Sequence, residues 1–290
     1  MTTPTTQEPA PEREIARQRH VHVPHRVGLP PLLPYARQLW QRREFAVELA
    51  RTKLRAQHFN TAFGQFWLLL NPVLLAGVYF VLVDIIRHGH HAPHFFARLM
   101  AAVFAFQLVQ DSIRQGAKSV VQGGKLILNT AFPRLLLPIA SVLMSCIRFL
   151  PTMGIYVVVH LLSGLPITLT TLWVLPLAAL FILLAAGLSI LVAAAQVYFR
   201  DLSSFLPYVL RMWMYISPVL YSAKEVPHGY KWLLVVNPVA PLLDAWNQVL
   251  QFGKPPTYHE LALGVGYSVV FLVIGCVFFM SREREFAVRL

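Results

Sequence analysis

The 290-residue chain is 56% hydrophobic and only 13% charged, with a formal net charge of +12. Soluble domains are about a quarter charged, so this composition excludes an ordinary soluble protein and predicts an all-α polytopic membrane protein. The positive charge would suggest nucleic acid binding in a soluble protein, but here basic loops on the cytoplasmic side of a membrane explain it.

The first 60 residues are basic and contain no long apolar run. Residues 1–34 are rich in Thr, Pro, Arg and His, which predicts a disordered cytoplasmic tail. Residues 35–60 alternate apolar side chains and arginines at helical spacing, as in an amphipathic helix lying in the membrane interface. The alternative is a helix packed on a soluble domain, but the chain has no domain of workable size for it. No cleaved signal is expected, and the first apolar segment, near Phe66, acts as a signal anchor.

Six segments are predicted to cross the membrane within a transmembrane domain over residues 61–285, and a short cytoplasmic tail follows at 281–290. A helical span needs about 20 apolar residues. The second segment is shorter than that, so we expect it to continue into the polar residues after it. The predicted spans are residues 66–86, 95–110, 135–162, 173–199, 205–221 and 261–280.

Residues 232–250 are apolar but broken by Asn237-Pro238, Pro241 and Asp244. They form either a seventh span or a pair of re-entrant helices. A seventh span would place the basic C-terminus outside, whereas six spans keep both termini in the cytoplasm, as the positive-inside rule prefers. We therefore predict a re-entrant outer hairpin, since helix breaks are tolerated at membrane depth where protein surrounds them.

A polar stretch, residues 110–138, separates the second and third spans. A charged insert of this size cannot lie in hydrocarbon, so it must lie in water or against another protein. The loop charges place it on the cytoplasmic side of the membrane. Its polar residues include Asp111, Arg114, Lys118, Lys125, Asn129 and Arg134.

The chain has no nucleotide-binding loop. Its one Gly-Lys pair, Gly124-Lys125, is followed by Leu126 and lacks the upstream glycine that such a loop requires. The chain is therefore not expected to be an enzyme that hydrolyses ATP, and no cofactor of its own is predicted. Energy for any work must come from another subunit or from a gradient.

The loop after the first span carries His88, His90, His91 and His94. Imidazoles are good zinc ligands, but this short loop has no carboxylate or cysteine beside them, so no metal site is predicted.

Two polar features lie within apolar spans. Arg148 sits midway along the third span and should face a partner inside the bundle, for which Asp84 and Asp244 are the candidates by residue class. Tyr208, Arg211 and Tyr215 share one face of the fifth span. That stripe suits either core packing or the wall of a polar path for a glycan, because aromatic rings stack on sugars.

Five stretches in register resemble the permease subunit of type-2 ABC exporters, in the bacterial polysaccharide branch that exports O-antigen, teichoic acid and, in Ala- and Arg-rich members, cell-wall galactan. The stretches are ARTKLRAQHFNTAFGQFWLLLNPVL (50–74), GGKLILNTAFPRLLLP (123–138), VYFRDLSSFLPYVLRMWMYISPVLYSAKEVP (197–227), LLVVNPVAPLLDAW (233–246) and EREFAVRL (283–290).

The resemblance implies a homodimer with two copies of an ABC-type ATPase that carries the ATP and Mg²⁺. It also implies a polyprenyl-diphosphate-linked glycan substrate and four groups of site residues. The coupling segment is 112–125, with Arg114, Lys118 and Lys125. The gate-side connection is 126–132, and the site residues assigned to it are Asn129, Phe132, Pro133 and Arg134. The lipid-diphosphate residues are Arg51, Lys53 and Arg55. The glycan-path residues are Tyr208, Arg211, Tyr215 and Tyr221.

Two alternatives remain open at this point. A type-2 ABC permease for a small amphiphile or drug would have the same fold with an apolar cavity. A polyprenyl-dependent glycosyltransferase would need acidic residues gathered at the membrane surface, but the thirteen acids are scattered.

Overall fold

The computed structural model describes residues 31–57, 66–90, 93–130 and 132–289, and within them every regular element is helical. The helices are α1 (Leu32–Gln41), α2 (Arg43–Gln57), α3 (Trp67–Ile86), α4 (Phe95–Gln122), α5 (Gly124–Asn129), α6 (Leu136–Leu162), α7 (Val174–Tyr198), α8 (Leu202–Ile216), α9 (Trp232–Val236), α10 (Ala240–Phe252), α11 (Tyr258–Arg282) and α12 (Phe286–Arg289). Short 3₁₀ turns lie at Leu169–Trp173, Ala223–Glu225, His228–Tyr230 and Glu283–Glu285.

The helix α4 forms the centre of the bundle. It packs against α6 and α7 along most of its length and against α3, α8 and α10 over shorter stretches. Its side chains from Leu99 to Phe106 are almost fully buried. Helix α11 lies on the far side of α7, so α4, α6, α7 and α11 form the framework to which α3 and α8 are added.

Within the residues that the structure describes, five helices are long and apolar enough to span a membrane: α3, α4, α6, α7 and α11. They coincide with five of the six predicted spans, which confirms a multi-pass helical protein. The remaining predicted span, 205–221, forms the 15-residue helix α8, because Ser217-Pro218 ends it early. Helix α4 is longer than its predicted span, since it continues through Gln122.

The N-terminal segment predicted as one amphipathic helix forms two helices that meet at Arg42. Helix α2 packs on the outside of α6 through Ala46, Ala50 and Leu54. Its small apolar face is therefore covered by the membrane domain itself. Of the tail predicted to be disordered, residues 1–30 lie outside the described residues, and Leu32 already begins α1.

The bundle has two distinct ends. One end, called the basic end here, carries α5, the turn at Arg134, the start of α8 and α12. Ion pairs and hydrogen bonds join these parts, for example from Tyr198 Oη to Glu285 Oε2 at 2.6 Å. The opposite end carries the histidine loop and residues 217–231, which are joined where Arg87 pairs with Glu225.

Residues 232–252 form two helices, α9 and α10, separated at Asn237-Pro238. Helix α10 is largely buried against α4, α7 and α11, and it ends at Gly253, whose backbone adopts the left-handed conformation that glycine tolerates. The break predicted from Asn237-Pro238 is therefore present, with both short helices at the opposite end.

Candidate functional site

A cavity of about 480 Å³, called cavity A here, lies between α3, α4 and α6. Asp111 is its one carboxylate among the described residues that line it, and two arginines share that carboxylate. Arg114 Nη2 lies 2.6 Å from Asp111 Oδ1, and Arg148 Nη1 lies 3.9 Å from Asp111 Oδ2. The ion-pair partner of Arg148 is thus Asp111, and neither Asp84 nor Asp244 lines the cavity.

A second cavity, cavity B, adjoins cavity A and has a volume of about 510 Å³ between α3, α4 and α8. Both cavities are lined by Asn71, Gln107 and Arg114. On its far wall, the rings of Tyr79 and Tyr215 meet edge to face with centroids 6.3 Å apart. Cavity B therefore combines amides, aromatic rings and guanidinium groups, a mixture that suits a sugar better than a purely apolar compound.

The structure separates the four predicted glycan-path residues. Arg211 and Tyr215 line cavity B. Tyr208 is 66% exposed and lies outside that lining. Tyr221 lies beyond the end of α8, where its hydroxyl donates to the carbonyl of Ile216.

A third cavity, cavity C, of about 870 Å³ lies at the basic end between α1, the end of α5 and the end of α11. The predicted gate-side residues all line it. They are Asn129, Phe132, Pro133 and Arg134. The structure thus brings this predicted group together, next to the start of α6.

Glu283 joins three segments at cavity C. Its carboxylate accepts hydrogen bonds from Tyr35 Oη at 2.7 Å and from the backbone N–H of Arg134 at 2.6 Å, and its backbone carbonyl accepts from the Arg134 guanidinium. Burial raises the pKa of Glu283, while the Tyr35 and Arg134 hydrogen bonds partly oppose that rise. Burial and the Glu283 carboxylate raise the pKa of Tyr35. We call the contact among Tyr35, Arg134 and Glu283 the basic-end joint.

Of the three predicted lipid-diphosphate residues, Arg51 and Arg55 lie one turn apart on the same face of α2, and Lys53 lies on another face. Arg51 lines an apolar groove of about 840 Å³ between α1, α2 and α6. Arg55 is exposed, and Lys53 is half-buried, which lowers its pKa because burial disfavours the ammonium. Of the three, Arg51 is the residue placed beside a groove that could hold an acyl or prenyl chain.

The three predicted coupling residues are also separated. Arg114 lines cavities A and B although 47% of its side chain is exposed, and Lys118, one turn later, is exposed and lines neither cavity. Lys125 lies in the short helix α5. The predicted boundary at Lys125 falls inside α5, so the helical element at the basic end includes residues from both the coupling and gate-side segments.

A buried network centred on Asn237 fixes the end of α8 to the break before α10. Asn237 Oδ1 accepts from Trp213 Nε1 at 2.9 Å and from the backbone N–H of Val239 at 3.1 Å. Its Nδ2 donates to Ser217 Oγ at 2.8 Å. One amide side chain thereby organises the whole turn around Ser217-Pro218 and Asn237-Pro238.

Replacing Asn237 should loosen this turn. We expect Asn237→Ala to lower the free energy of unfolding by about 1–3 kcal/mol, because it leaves the indole N–H of Trp213 without its acceptor. Ser217→Ala, which removes one of the three contacts, should have a smaller effect. Thermal unfolding of the purified proteins in detergent measures both, and equal midpoints for Asn237→Ala and the wild-type chain would contradict the assigned role.

Several of these residues were not singled out from the sequence. Asn71 and Gln107 are single polar residues inside apolar runs, a pattern that would have marked them as cavity residues. Glu283 is one acid among several charges after the last span, so the sequence offered no signal for its role. In the histidine loop, His91 lies outside the described residues. Within the described ranges, no three His, Cys, Asp or Glu side chains are grouped as metal ligands would be.

Comparison with known proteins agrees with the resemblance. The family model described as ABC-2 type transporter matches residues 49–251. The chain is 24% identical over 245 residues to the O-antigen export system permease protein RfbA of Klebsiella pneumoniae, covering 84% of this chain and 94% of that protein. It is also 24% identical over 267 residues to the protein of the same name from Myxococcus xanthus, covering 88% and 99%.

Proposed function

This chain belongs to the ABC-2 type transporter family, and from that premise we propose that it is the membrane-spanning subunit of an exporter for a polyprenyl-diphosphate-linked polysaccharide of O-antigen or galactan type. The two permeases it resembles along most of its length are named for O-antigen export. The structural observation that carries the proposal is the pair of joined polar cavities, A and B, enclosed by apolar helices.

The proposed topology has six spans, with both termini in the cytoplasm and the protein in the inner membrane. Helix α8 is the additional span. At about 22 Å it is shorter than the hydrocarbon core of about 30 Å, so it needs the residues around Ser217 to complete the crossing. The α9–α10 pair is the re-entrant hairpin. The basic end, with Arg134, Arg200 and Arg289, faces the cytoplasm because the positive-inside rule favours that orientation.

A homodimer is part of the proposal. Helices α3 and α8 border cavity B and expose large apolar side chains beside it, among them Leu74, Val78, Val81, Met212 and Tyr208. A second copy placed against this surface would cover those side chains and close cavity B into a path between the two subunits.

The energy source is proposed to be a pair of ABC-type ATPase subunits that bind ATP and Mg²⁺. This chain supplies the receiving surface at the basic end, formed by exposed Lys118 on α4 and by the neighbouring helix α5. Force on that surface can reach α6 and α11 through the basic-end joint, because Arg134 lies two residues before α6 and Glu283 directly follows α11.

Charge reversal at the receiving surface should uncouple the two subunits. For Lys118→Glu we expect export to fall by about tenfold while the complex still assembles and hydrolyses ATP, since like charges facing each other across an interface cost several kcal/mol. Lys254→Glu, an exposed charge reversal at the opposite end, is the matched control. The measurement is export per ATP hydrolysed in reconstituted vesicles, and an unchanged ratio for Lys118→Glu would exclude this surface.

The transport function itself is tested by depletion. Loss of the protein should cause lipid-linked polymer to accumulate in the cytoplasmic leaflet and should reduce polymer at the cell surface. Normal surface polymer after depletion, combined with new sensitivity to drugs, would instead indicate a permease for small amphiphiles.

A further inference from the structure

The charge pattern in cavity A does not balance. Two guanidinium groups, those of Arg114 and Arg148, face the single carboxylate of Asp111. The closer pair, to Arg114, is a 2.6 Å hydrogen bond, whereas Arg148 stands 3.9 Å away. Within the described part of the chain, the buried Nε of Arg148 has no hydrogen-bond partner. The two arginines therefore carry one positive charge more than Asp111 neutralises, and the Nε–H of Arg148 is left without an acceptor.

Of these two arginines, Arg148 lies within the bundle, whereas 47% of the Arg114 side chain is exposed. Arg148 is near the middle of α6, a 27-residue helix, and only 17% of its side chain is exposed. An arginine at such depth is costly, and intramembrane charges are usually retained at substrate or ion pathways. Transporter binding sites also tend to lie near the bilayer midplane.

The chemistry of the lining selects an oxyanion. Guanidinium groups bind phosphate oxygens through paired, charge-assisted hydrogen bonds, and the amides of Asn71, Gln107 and Gln115 add neutral donors in the same cavity. Cavity B shares Asn71, Gln107 and Arg114 with cavity A. Its other wall includes Tyr79, Arg211 and Tyr215. A phosphate group in cavity A would therefore place an attached sugar beside the aromatic wall of cavity B.

We propose that Arg114 and Arg148 form an intramembrane site for the diphosphate of a lipid-linked glycan, with Asp111 as an internal counter-ion that the diphosphate displaces. The site rests on the proposed function and deepens it. It is separate from Arg51, Lys53 and Arg55 on α2, which lie outside cavity A. The two cations lower the free-energy barrier for moving the diphosphate through the bilayer, because the substrate's charges remain paired at mid-depth.

Binding to the full-length chain in phosphatidylcholine nanodiscs tests the site, with farnesyl diphosphate as the probe. We expect the wild-type chain to bind farnesyl diphosphate and not farnesol. Arg148→Gln should weaken binding by at least about tenfold, since a hydrogen bond to a charged group contributes about 1.5–3 kcal/mol. Arg148→Lys should fall between the two, because it keeps the charge without the forked donors. Lys254→Gln should bind as the wild-type chain does.

Asp111→Asn is expected to change the affinity for farnesyl diphosphate in the opposite direction. Removing the internal carboxylate frees both arginines for the ligand, so farnesyl diphosphate should bind several-fold more tightly. A variant that merely misfolds cannot gain affinity, which separates the proposed site from a purely structural ion pair. Unchanged or weaker binding by Asp111→Asn would overturn the counter-ion role.

The remaining outcomes distinguish the possible phosphate sources. Effective competition by phosphatidylglycerol would assign the site to a bilayer headgroup, and equal competition by inorganic pyrophosphate would assign it to free phosphate. Either result overturns the proposal, as does equal binding by Arg148→Gln and the wild-type chain. The depletion experiment is independent of all these measurements, so polymer accumulation with unaltered Arg148→Gln binding would reject this site while leaving the transport function in place.

Discussion

Replacing Gly187 with alanine is expected to force helices α7 and α11 apart and to cause a large loss of stability. A Cβ at Gly187 would lie 2.4 Å from the backbone nitrogen of Leu272 and 2.5 Å from the carbonyl carbon of Phe271. Backbone atoms cannot move aside by changing rotamer, so one helix must shift. Gly275 faces the same contact, since its Cβ would lie 2.3 Å from the carbonyl oxygen of Gly187. Close packing of this kind through small residues is what holds membrane helices together.

The expected cost of Gly187→Ala is about 1–3 kcal/mol or more, the range for overpacking a tight contact. Gly266→Ala on α11 and Gly77→Ala on α3 are matched controls, because a Cβ at either position meets nothing within 4 Å. Both controls should be neutral or slightly stabilising, since alanine is the better helix former by about 1 kcal/mol. Loss of the monodisperse peak on heating, followed by size-exclusion chromatography, measures the three variants. Equal midpoints for Gly187→Ala and Gly266→Ala would show that α7 and α11 are not packed as described.

Much of the fold follows from hydropathy and from helix-breaking residues. The apolar runs predicted α3, α6, α7 and α11 with boundaries close to those observed, and Asn237-Pro238 predicted the break between α9 and α10. The continuation of α4 beyond residue 110 is also predicted by the sequence pattern. Ile113, Gly116, Ala117 and Val120 recur at helical spacing and are buried, while the charged residues between them face outward or into the cavities.

The site was harder to predict because its contacts depend on the relative depth and rotation of helices. Arg148 was recognised as a charge needing a partner, but Asp111 became that partner only when α4 extended far enough to bring it level with the middle of α6. The aromatic stripe on α8 was singled out from the sequence, but the position of its members relative to α3 decides that Tyr215 lines a cavity and Tyr208 does not. Hydropathy predicts neither the depth of Asp111 relative to Arg148 nor the position of the α8 side chains relative to α3.

The second large effect is expected when the basic-end joint is broken: transport should be lost while ATP hydrolysis continues. Glu283→Ala removes the acceptor for Tyr35 Oη and for the Arg134 backbone N–H, the two side-chain contacts that link α1 and the start of α6 to the end of α11. We expect the closed joint to lose about 2 kcal/mol, a roughly thirtyfold shift towards its open form, since a buried donor left without its acceptor costs about 1–3 kcal/mol. Motion of α5 would then no longer be transmitted to the spans.

The conservative variant Glu283→Gln should retain most transport, because an amide can still accept from Arg134 and donate to Tyr35. It should also change the pH dependence. Burial raises the pKa of Glu283, so the joint is most stable below the ordinary carboxyl pKa and loses stability as the pH rises through the raised value. Glutamine does not titrate, so transport by Glu283→Gln should decline less between mildly acidic and alkaline pH than transport by the wild-type chain.

Glu285→Ala is the matched control for both Glu283 variants. Glu285 lies two residues further along and accepts from Tyr198 on α7, so its loss affects the attachment of α12 and leaves Tyr35 and Arg134 in contact with Glu283. The measurement is export and ATP hydrolysis in the same reconstituted vesicles for all three variants. If Glu283→Ala and Glu285→Ala reduced export equally, the effect would belong to the C-terminal segment in general. A loss confined to Glu283→Ala requires force to pass from the α5 turn to α11 through this one carboxylate.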